Sequence, residues 1–302
     1  MKIYNNPNLN KEHCYGVIAI GNFDGLHLGH QKVIKEAKRK AKKNKIPFGV
    51  MTFEPVPVMF FNKKIKNHRI NSLEQKKTQL KKLKLDFLII VKFNKNFSTQ
   101  SAEEFIKKII FKKTKCKYLY VSKNFKFGFE RQGNVKTLKK FEKKYNFKNI
   151  VTKPFKKDNK IISSTLLRKK IRLGKINEVN ELLNRNWSIS GKVIKGQRRG
   201  RKIGFPTCNL KLSDYVVPKL GVYAVKVKSK NFYKNGIANI GYRPTFNGQN
   251  LLLETNIFGI NKNLYNKVIS INFKKFIRSE KKFRNLKHLK KQIKIDIKKA
   301  KK

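Results

Sequence analysis

Several residue types are scarce in this 302-residue chain, and each scarcity excludes a class of protein. The three cysteines, Cys14, Cys116 and Cys208, lie far apart, so they form neither a disulfide framework nor a zinc-binding spacing. The sequence lacks a run of about 18 apolar residues, which argues against a transmembrane helix and a membrane partner. Its first residues lack the apolar core of a secretory signal. We therefore expect a protein of the reducing cytoplasm.

Acidic residues are also few: 17 Asp and Glu stand against 75 Lys and Arg, which gives a net charge of +58. Such a charge ordinarily indicates nucleic acid binding. The lysines are spread over nearly every segment, however, whereas a nucleic-acid footprint is a patch. We therefore expect nonspecific polyanion binding at low salt and no specific nucleic acid partner.

Arginine is the rarer basic residue, and its positions are more informative because its planar fork matches phosphate. Those near glycine, serine or proline are Arg131, Arg168, Arg198, Arg199, Arg201, Arg243 and Arg278. Their placement predicts phosphate chemistry.

The length predicts two domains, and the pattern of apolar and turn-forming residues changes near residues 184–188. Before that point, strands predicted at 15–23, 47–53, 86–93 and 117–122 alternate with helices at 27–43, 72–83 and 101–112. Ser72 with Gln75 and Ser101 with Glu104 form capping boxes. Alternation of this kind predicts an α/β domain with a parallel sheet wrapped by helices.

The second half consists of short apolar stretches separated by glycine, proline and asparagine. The stretches fall at 187–195, 221–230, 235–241, 251–259 and 267–276. Residues alternate in polarity along the last of them, as in a half-buried strand. This pattern predicts a small antiparallel barrel or sandwich. A terminal helix follows, with its apolar face on Leu286, Leu289, Ile293, Ile297 and Ala300.

The stretch "GNFDGLHLGH" (21–30) lies where a buried strand passes into a helix. In an open parallel sheet this edge is where ligands bind, and a helix N-terminus attracts phosphate. Glycines at 21, 25 and 29 allow close backbone approach. His27 and His30, three residues apart on the first helical turn, can contact one ligand. The stretch lacks the H-E-x-x-H zinc pattern, so we predict a triphosphate site.

A second stretch, "IISSTLLRKKI" (161–171), runs from a short strand into a helix. Hydroxyls of Ser163, Ser164 and Thr165 at the helix start, with Arg168 one turn later, can bind phosphate oxygens. An ordinary serine cap with a solvated arginine is the alternative.

A third stretch, residues 191–210, has glycines at 191, 196, 200 and 204. Gln197 stands where a Walker A motif needs lysine, so the stretch is not a P-loop. A glycine loop carrying Arg198, Arg199 and Arg201 can nevertheless wrap polyphosphate.

Beyond this loop, Pro206 fixes the backbone, and Thr207 and Asn209 offer two oxygens on one side of an extended segment. Oxygen ligands of this kind suit Mg²⁺. Glu254 stands within the apolar stretch "LLLETNIF", where a buried carboxylate is costly without a role or a partner. It is either a general base for a hydroxyl that attacks phosphate or the partner of Arg243 or a lysine.

Together these stretches resemble one family, the prokaryotic bifunctional riboflavin kinase/FAD synthetases. "GNFDGLHLGH" is similar to its adenylyltransferase signature and "SSTLLR" to its Ser-Ser-Thr-x-x-Arg element. "GRKIGFPTCNL", "NIGYRPTF", "LETNIF" and "FIRSEKKF" are similar to its successive kinase motifs. The resemblance implies a Rossmann-like nucleotidyltransferase domain over 1–185. It also implies an antiparallel riboflavin kinase barrel with a terminal helix over 186–302.

The resemblance implies two reactions that use ATP as substrate. The barrel would phosphorylate riboflavin to FMN with Mg-ATP on Thr207 and Asn209 and with Glu254 as base. The first domain would adenylylate FMN to FAD, with His27, His30 and Arg168 acting on ATP. The other residues assigned to ligand binding are Gly21, Asn22, Phe23, Asp24, Gly25, Gly29, Asn124, Ser163, Ser164, Thr165, Gly196, Arg201, Gly204, Pro206 and Arg278.

Three positions depart from the family pattern. Ser122 stands where the family usually has glycine, Val56 where histidine is common, and Cys208 where alanine is usual. The first two belong to the adenylyltransferase half.

Two alternatives remain open at the level of sequence. Other nucleotidyltransferases and class I aminoacyl-tRNA synthetases share the histidine signature, although a K-M-S-K-S-like loop is missing here. A basic RNA-binding protein would instead show a charge patch and stacked aromatic residues. We expect a monomer or a weak oligomer.

Overall fold

The computed structural model describes residues 1–196, 199–245, 248–260 and 262–301, without the side chains of residues 199, 243–245 and 248–250. The chain divides into two compact units. Unit 1 comprises Met1–Ile65 and Leu73–Ser163, and unit 2 comprises Lys66–Ser72 and Ser164–Lys302.

Unit 1 is built on a six-stranded parallel sheet. Its strands are β1 (Lys2–Tyr4), β2 (Val17–Ile20), β3 (Phe48–Glu54), β4 (Phe87–Lys92), β5 (Tyr118–Ser122) and β6 (Lys148–Thr152), and a small hairpin, β7 (Lys156–Lys157) and β8 (Lys160–Ile161), follows. The order in the sheet is β1-β4-β3-β2-β5-β6, with parallel pairing throughout. The predicted parallel sheet is confirmed. Strand order reverses at β2, which β3 and β5 flank, so the crevice for ligands lies at the carboxyl end of β2.

Helices connect these strands. They are α1 (Leu28–Asn44), α2 (Pro57–Phe61), α3 (Leu73–Lys82), α4 (Lys95–Ser98), α5 (Ala102–Glu104) and α6 (Val135–Lys140). The capping box of Ser101 and Glu104 is confirmed. The predicted helix over 101–112 is α-helical in its first turn alone and continues as a π-helical segment, Phe105–Lys113. The π-helical hydrogen-bond pattern extends to the end of this segment, where the N–H of Thr114 donates to the C=O of Ile109, five residues earlier, at 2.9 Å.

The sheet of unit 1 is apolar on both faces because helices cover each of them. Ile18, Ile89 and Leu119 belong to one buried cluster, and Ala19 and Leu88 belong to the other. This explains why the strands read as continuous apolar runs rather than as alternating ones.

Unit 2 holds a six-stranded antiparallel sheet. Its strands are β9 (Ser188–Lys192), β10 (Cys208–Lys211), β11 (Gly221–Lys228), β12 (Tyr233–Thr245), β13 (Gly248–Ile257) and β14 (Val268–Arg278), in the order β10-β13-β12-β11-β14-β9. The two edge strands approach each other where Ile194 bridges Asn209, with the N–H of Ile194 2.9 Å from the Asn209 carbonyl. The sheet is therefore a nearly closed barrel, as predicted.

Helices α7 (Ser164–Arg172), α8 (Ile176–Leu183), α9 (Arg199–Lys202) and α10 (Leu286–Lys301) complete unit 2. The predicted terminal helix, α10, packs Ile297 and Ala300 against Val222 and Ile237 of the barrel. Leu286, placed on its apolar face by the sequence pattern, is 62% exposed because it lies at the first residue of the helix. None of the described helices is long and apolar enough to cross a membrane.

The close pairing of β3 with β4 gives a stability prediction for unit 1. Gly49 pairs with Phe87, and a Cβ at position 49 would lie 2.1 Å from the Phe87 ring, which is fully buried. We expect Gly49→Ala to destabilise unit 1 by about 1–3 kcal/mol through overpacking, measured by urea unfolding. Gly191→Ala is the matched control, since its Cβ would meet Leu210 at an ordinary 3.5 Å. Equal stabilities of the two variants would contradict the prediction.

Candidate functional site

The residues 21–29, here called the glycine turn, connect β2 to α1 at the strand-order reversal. The N–H of Gly21 donates to the Met51 carbonyl at 3.1 Å, which ties the turn to β3. Gly25 has φ +82°, and two residues other than glycine, Phe23 (+47°) and Leu26 (+43°), also adopt left-handed backbone. Such conformations cost about 1–3 kcal/mol each and persist where the surroundings enforce them. The turn is therefore a constrained structure at the predicted ligand edge.

Both predicted histidines lie at the start of α1. The helix begins at Leu28, so His27 is the N-cap rather than part of the first turn. Its Nδ1 accepts a hydrogen bond from the N–H of His30 at 3.3 Å, so the neutral ring carries its proton on Nε2. The two imidazoles stack with centroids 3.6 Å apart. The two rings therefore lie side by side at the N-terminus of α1.

Glycine and phenylalanine shape the space around this histidine pair. A Cβ at Gly29 would lie 3.1 Å from the His27 ring, and one at Gly21 would lie 3.2 Å from the Phe23 ring. The Phe23 ring packs edge-on against His30 with centroids 5.3 Å apart. Asp24 is buried, whereas Asn22 is exposed.

Two further predicted residues of unit 1 lie at this edge. Asn124 is exposed just beyond the carboxyl end of β5, the strand that pairs with β2. Ser163 follows Ile162, whose carbonyl oxygen would lie 3.4 Å from a Cβ at Gly29. The structure therefore brings Asn124 and Ser163 to the side of the sheet that carries the glycine turn.

The remaining residues of the serine-rich stretch lie on α7 in unit 2, which confirms the predicted helix. Ser164 is its first residue and Thr165 is exposed. Arg168 is 9% exposed, and its Nε donates to the His68 carbonyl at 2.9 Å. The guanidinium is thus held in one position by backbone and is not a solvated surface group.

The barrel of unit 2 holds a cavity of about 780 Å³. It brings together five of the predicted kinase residues: Gly196, Thr207, Asn209, Glu254 and Arg278. Ile194, Val222 and Leu252 of the barrel and Leu289 and Ile293 of α10 supply apolar walls. An apolar enclosure with a few converging polar groups is the usual form of a small-molecule site.

Asn209 is the most buried of these residues. It is 7% exposed, and its Oδ1 is buried with no hydrogen-bond partner in the described structure. A Cβ at Gly196 would lie 1.8 Å from its Nδ2, so the side chain occupies the space that this glycine leaves. A buried oxygen of this kind is suited to accept a hydrogen bond from a ligand or to coordinate a cation.

Glu254 differs from the prediction of a buried carboxylate, because it is partly exposed. Its neighbours Leu253 and Thr255 are fully buried. Side chains alternate across a strand, so Glu254 points to the opposite face and lines the cavity.

Cys208 lies between the two predicted metal ligands. Its Sγ lies 3.4 Å from the Thr255 carbonyl, and burial raises the pKa of the thiol to about 12. The thiol is therefore neutral at physiological pH, whereas a cysteine metal ligand must be a thiolate.

Arg278 lines the cavity and also forms an ion pair within the protein. Its guanidinium pairs with Asp296 of α10, with Nη2 to Oδ2 at 2.7 Å and Nε to Oδ2 at 2.9 Å. Asp296, 1% exposed, was missed by the sequence analysis. Asp296 could have been found in the sequence as a single acidic residue among the apolar positions of the predicted terminal helix.

The glycine loop carries the other predicted residues. Arg201 is exposed, Gly204 has φ +88°, and the Pro206 carbonyl accepts from Asn256 Nδ2 at 2.7 Å. Arg198 and the side chains of Arg199 and Arg243 lie outside the described residues.

Two family models match successive parts of the chain. The FAD synthetase family model matches residues 9–166, and the riboflavin kinase family model matches residues 183–302. A bifunctional riboflavin kinase/FMN adenylyltransferase of Buchnera aphidicola from Schizaphis graminum is 40% identical over 98% of this chain and 96% of its own. The protein of that description from Escherichia coli K12 is 35% identical over 97% and 94%.

A solved structure from Streptococcus pneumoniae, described as a macrolide-efflux protein, has the same fold. It matches with a TM-score of 0.86 and 28% identity, over 99% of this chain and 98% of that one. On the two family matches and the near full-length relatives, this chain belongs to the bifunctional riboflavin kinase/FMN adenylyltransferase family.

Proposed function

We propose that this chain makes FAD from riboflavin in two ATP-dependent steps. Residues 186–302 phosphorylate riboflavin to FMN, and residues 1–185 adenylylate FMN to FAD with release of pyrophosphate. The observation that carries the proposal is the barrel cavity, which gathers Asn209, Thr207, Gly196 and Glu254 around one volume large enough for a flavin or a nucleotide.

In the kinase step, Glu254 is the general base. Its carboxylate accepts the proton of the ribityl 5′-hydroxyl as that oxygen attacks the γ-phosphorus of ATP. The new O–P bond forms while the bond to the ADP oxygen breaks. The apolar cavity walls keep water away from the γ-phosphoryl group, which favours transfer over hydrolysis.

Thr207 and Asn209 are the proposed ligands of Mg²⁺. The orphaned Oδ1 of Asn209 and the exposed hydroxyl of Thr207 are hard oxygen donors, the kind that Mg²⁺ prefers. Water and the phosphates of ATP would supply the other ligands. When bound, the ion would offset negative charge on the ATP phosphates.

In the adenylyl step, the glycine turn and the N-terminus of α1 bind the phosphates of ATP. A phosphate oxygen of FMN attacks the α-phosphorus, and the bond to pyrophosphate breaks. His27 and His30 donate hydrogen bonds to the developing charge. Arg168, with the hydroxyls of Ser164 and Thr165, binds phosphate oxygens. Positioning and charge stabilisation supply the catalysis, since a covalent intermediate is not required.

The remaining proposed properties concern partners. Riboflavin and FMN are the small-molecule substrates, and we expect a monomer or weak oligomer without a specific nucleic acid partner. The first test is a time course with riboflavin, ATP and Mg²⁺, with the flavins separated by chromatography. FMN should rise and then give way to FAD. FMN accumulating alone would contradict the adenylyl half, and absence of both products would contradict the proposal.

His30→Ala should lower the rate of FAD formation from FMN by about ten- to a hundredfold, because a charge-assisted hydrogen bond at the transition state is lost. Riboflavin phosphorylation by the same preparation should stay within twofold. His288→Ala removes an exposed imidazole from α10 and serves as the matched control. An unchanged FAD rate in His30→Ala would remove His30 from the mechanism.

Glu254→Gln keeps the size of the side chain and removes its basicity. We expect riboflavin phosphorylation to fall by at least about a hundredfold, the usual contribution of a general base. Conversion of supplied FMN to FAD should be unaffected. Kinase activity near that of the wild type would exclude Glu254 as the base.

Gly196→Ala tests the position of Asn209. The new methyl group displaces the Asn209 amide, a movable group, so the melting temperature should change little. Riboflavin phosphorylation should fall by at least about tenfold, because misplacing a ligand by an ångström costs that much or more. Gly191→Ala, which meets an ordinary contact, should phosphorylate riboflavin at the wild-type rate. Full kinase activity in Gly196→Ala would separate Asn209 from the reaction.

A further inference from the structure

Lys76 is a buried lysine that contacts the glycine turn from beneath. It lies on α3 and is 1% exposed. Its Nζ donates to the Asn22 carbonyl at 2.8 Å and to Thr52 Oγ1 at 3.2 Å. Thr52, fully buried on β3, donates through Oγ1 to the same carbonyl at 3.1 Å. Helix α3, strand β3 and the glycine turn therefore meet at one oxygen atom.

Burial of this ammonium is unusual for the chain. Lysines are plentiful, yet within the described residues Lys76 is the one lysine that falls among the buried side chains. It shares the buried side of α3 with Leu80. Removing an ammonium from water is costly, so its retention at this position calls for a function.

The Lys76 contact fixes the peptide between Asn22 and Phe23. A trans peptide is planar, and its C=O and N–H point in opposite directions. Because the Asn22 carbonyl points to Lys76, the N–H of Phe23 points away from it. The same peptide precedes the left-handed φ of Phe23 (+47°), which is unfavourable for a bulky residue. The bonds from Lys76 and Thr52 therefore hold the strained conformation of the turn.

Phe23 connects this peptide to His30, a proposed catalytic residue, through a contact between their rings. Its ring is 2% exposed and packs against the His30 ring at an interplanar angle of 78°. A change in the Asn22–Phe23 peptide would move that ring, and the His30 imidazole rests on it. Contacts thus run without a gap from Lys76 through Asn22 and Phe23 to His30.

We propose that Lys76 is a positioning residue for adenylyl transfer. Its ammonium anchors the Asn22 carbonyl, and the anchored turn holds the Phe23 N–H and the His30 ring in the arrangement that binds the ATP phosphates. The inference rests on the proposed adenylyltransferase function of this half of the chain.

The test is Lys76→Met, which has similar length and no charge. The Thr52 hydroxyl still donates to the Asn22 carbonyl, so that oxygen keeps a partner and the unit should fold. We expect kcat for FAD formation from FMN to fall by about tenfold or more. Kinase activity of the same preparation should stay within twofold.

A histidine NMR spectrum adds a readout that general destabilisation would not mimic. The chain has five histidines, and His30→Ala identifies the His30 signal. Lys76→Met should shift the His30 ring signals, which lie beside the Phe23 ring, and leave those of His288 unchanged. Lys81→Met removes an exposed lysine from the same helix and is the matched control.

Thr52→Val removes the other hydrogen bond to the Asn22 carbonyl at nearly constant volume. It should lower the FAD rate in the same direction by about threefold, and it keeps the proposal testable if Lys76→Met does not fold. A wild-type FAD rate in Lys76→Met, or parallel losses of FAD rate, kinase rate and melting temperature, would overturn the proposal. Failure of the proposed function itself would appear separately, as no FAD from the wild type or a normal rate in His30→Ala.

Discussion

Repulsion between like charges is the constraint that the whole chain must satisfy, because 75 basic residues face 17 acidic ones. Some of the few carboxylates join separate elements. Asp296 ties α10 to β14 through Arg278, and Glu178 of α8 binds Lys170 of α7. Glu103 joins α5 to Lys144 and Tyr145, and the hydrogen bond from Lys144 lowers the pKa of that carboxyl. A lowered pKa means that this contribution is present at neutral pH and is lost as the pH falls.

The same excess of charge bears on substrate capture. ATP and FMN are anions, and a surface of spread lysines attracts them over long range without holding them in one pose. Orientation must then come from groups with fixed directions. The glycine turn, the start of α1 and the buried oxygen of Asn209 are such groups, because backbone and burial fix each of them. In the proposed function, the abundant lysines attract the substrates and the few constrained site residues orient them.

Much of the architecture could be predicted because local patterns and tertiary contacts agree. The apolar runs of β2 to β5 are buried on both faces, and the polarity of β14 alternates as its burial does. The short strands β1 and β6 and the helices α6 and α8 were missed. Strand β1 is three residues long and is stabilised by pairing with β4, a contact distant in sequence. The π-helical segment likewise depends on packing that residue spacing does not encode.

The sites show the same division. Glycine and histidine spacing predicts the turn between β2 and α1, and the apolar stretch around Glu254 predicts a strand there. The prediction that the Glu254 carboxylate is buried was wrong, because it followed from the apolar neighbours, which point to the other face of the strand. Lys76 and Asp296 were missed although each places a charge on the buried face of a helix. That signal was available in the sequence: a charged residue at an apolar position of a helical stripe marks either an ion pair or a buried anchor. The partner, however, comes from another element and can be read only from the fold.

The two proposed sites differ because their nucleophiles differ. The ribityl hydroxyl of riboflavin is neutral and must lose a proton as it attacks, so the barrel site needs a carboxylate at the cavity wall, where Glu254 lies. The phosphate of FMN is already an anion at neutral pH, so its attack needs no base. Its difficulty is repulsion between two anions, which donors and positive ends of dipoles relieve. Stacked imidazoles at a helix N-terminus meet that requirement, and a buried ammonium behind the turn adds positive charge to it. The contrast between a glutamate in the barrel and histidines beside the parallel sheet therefore follows from the charge of the attacking group.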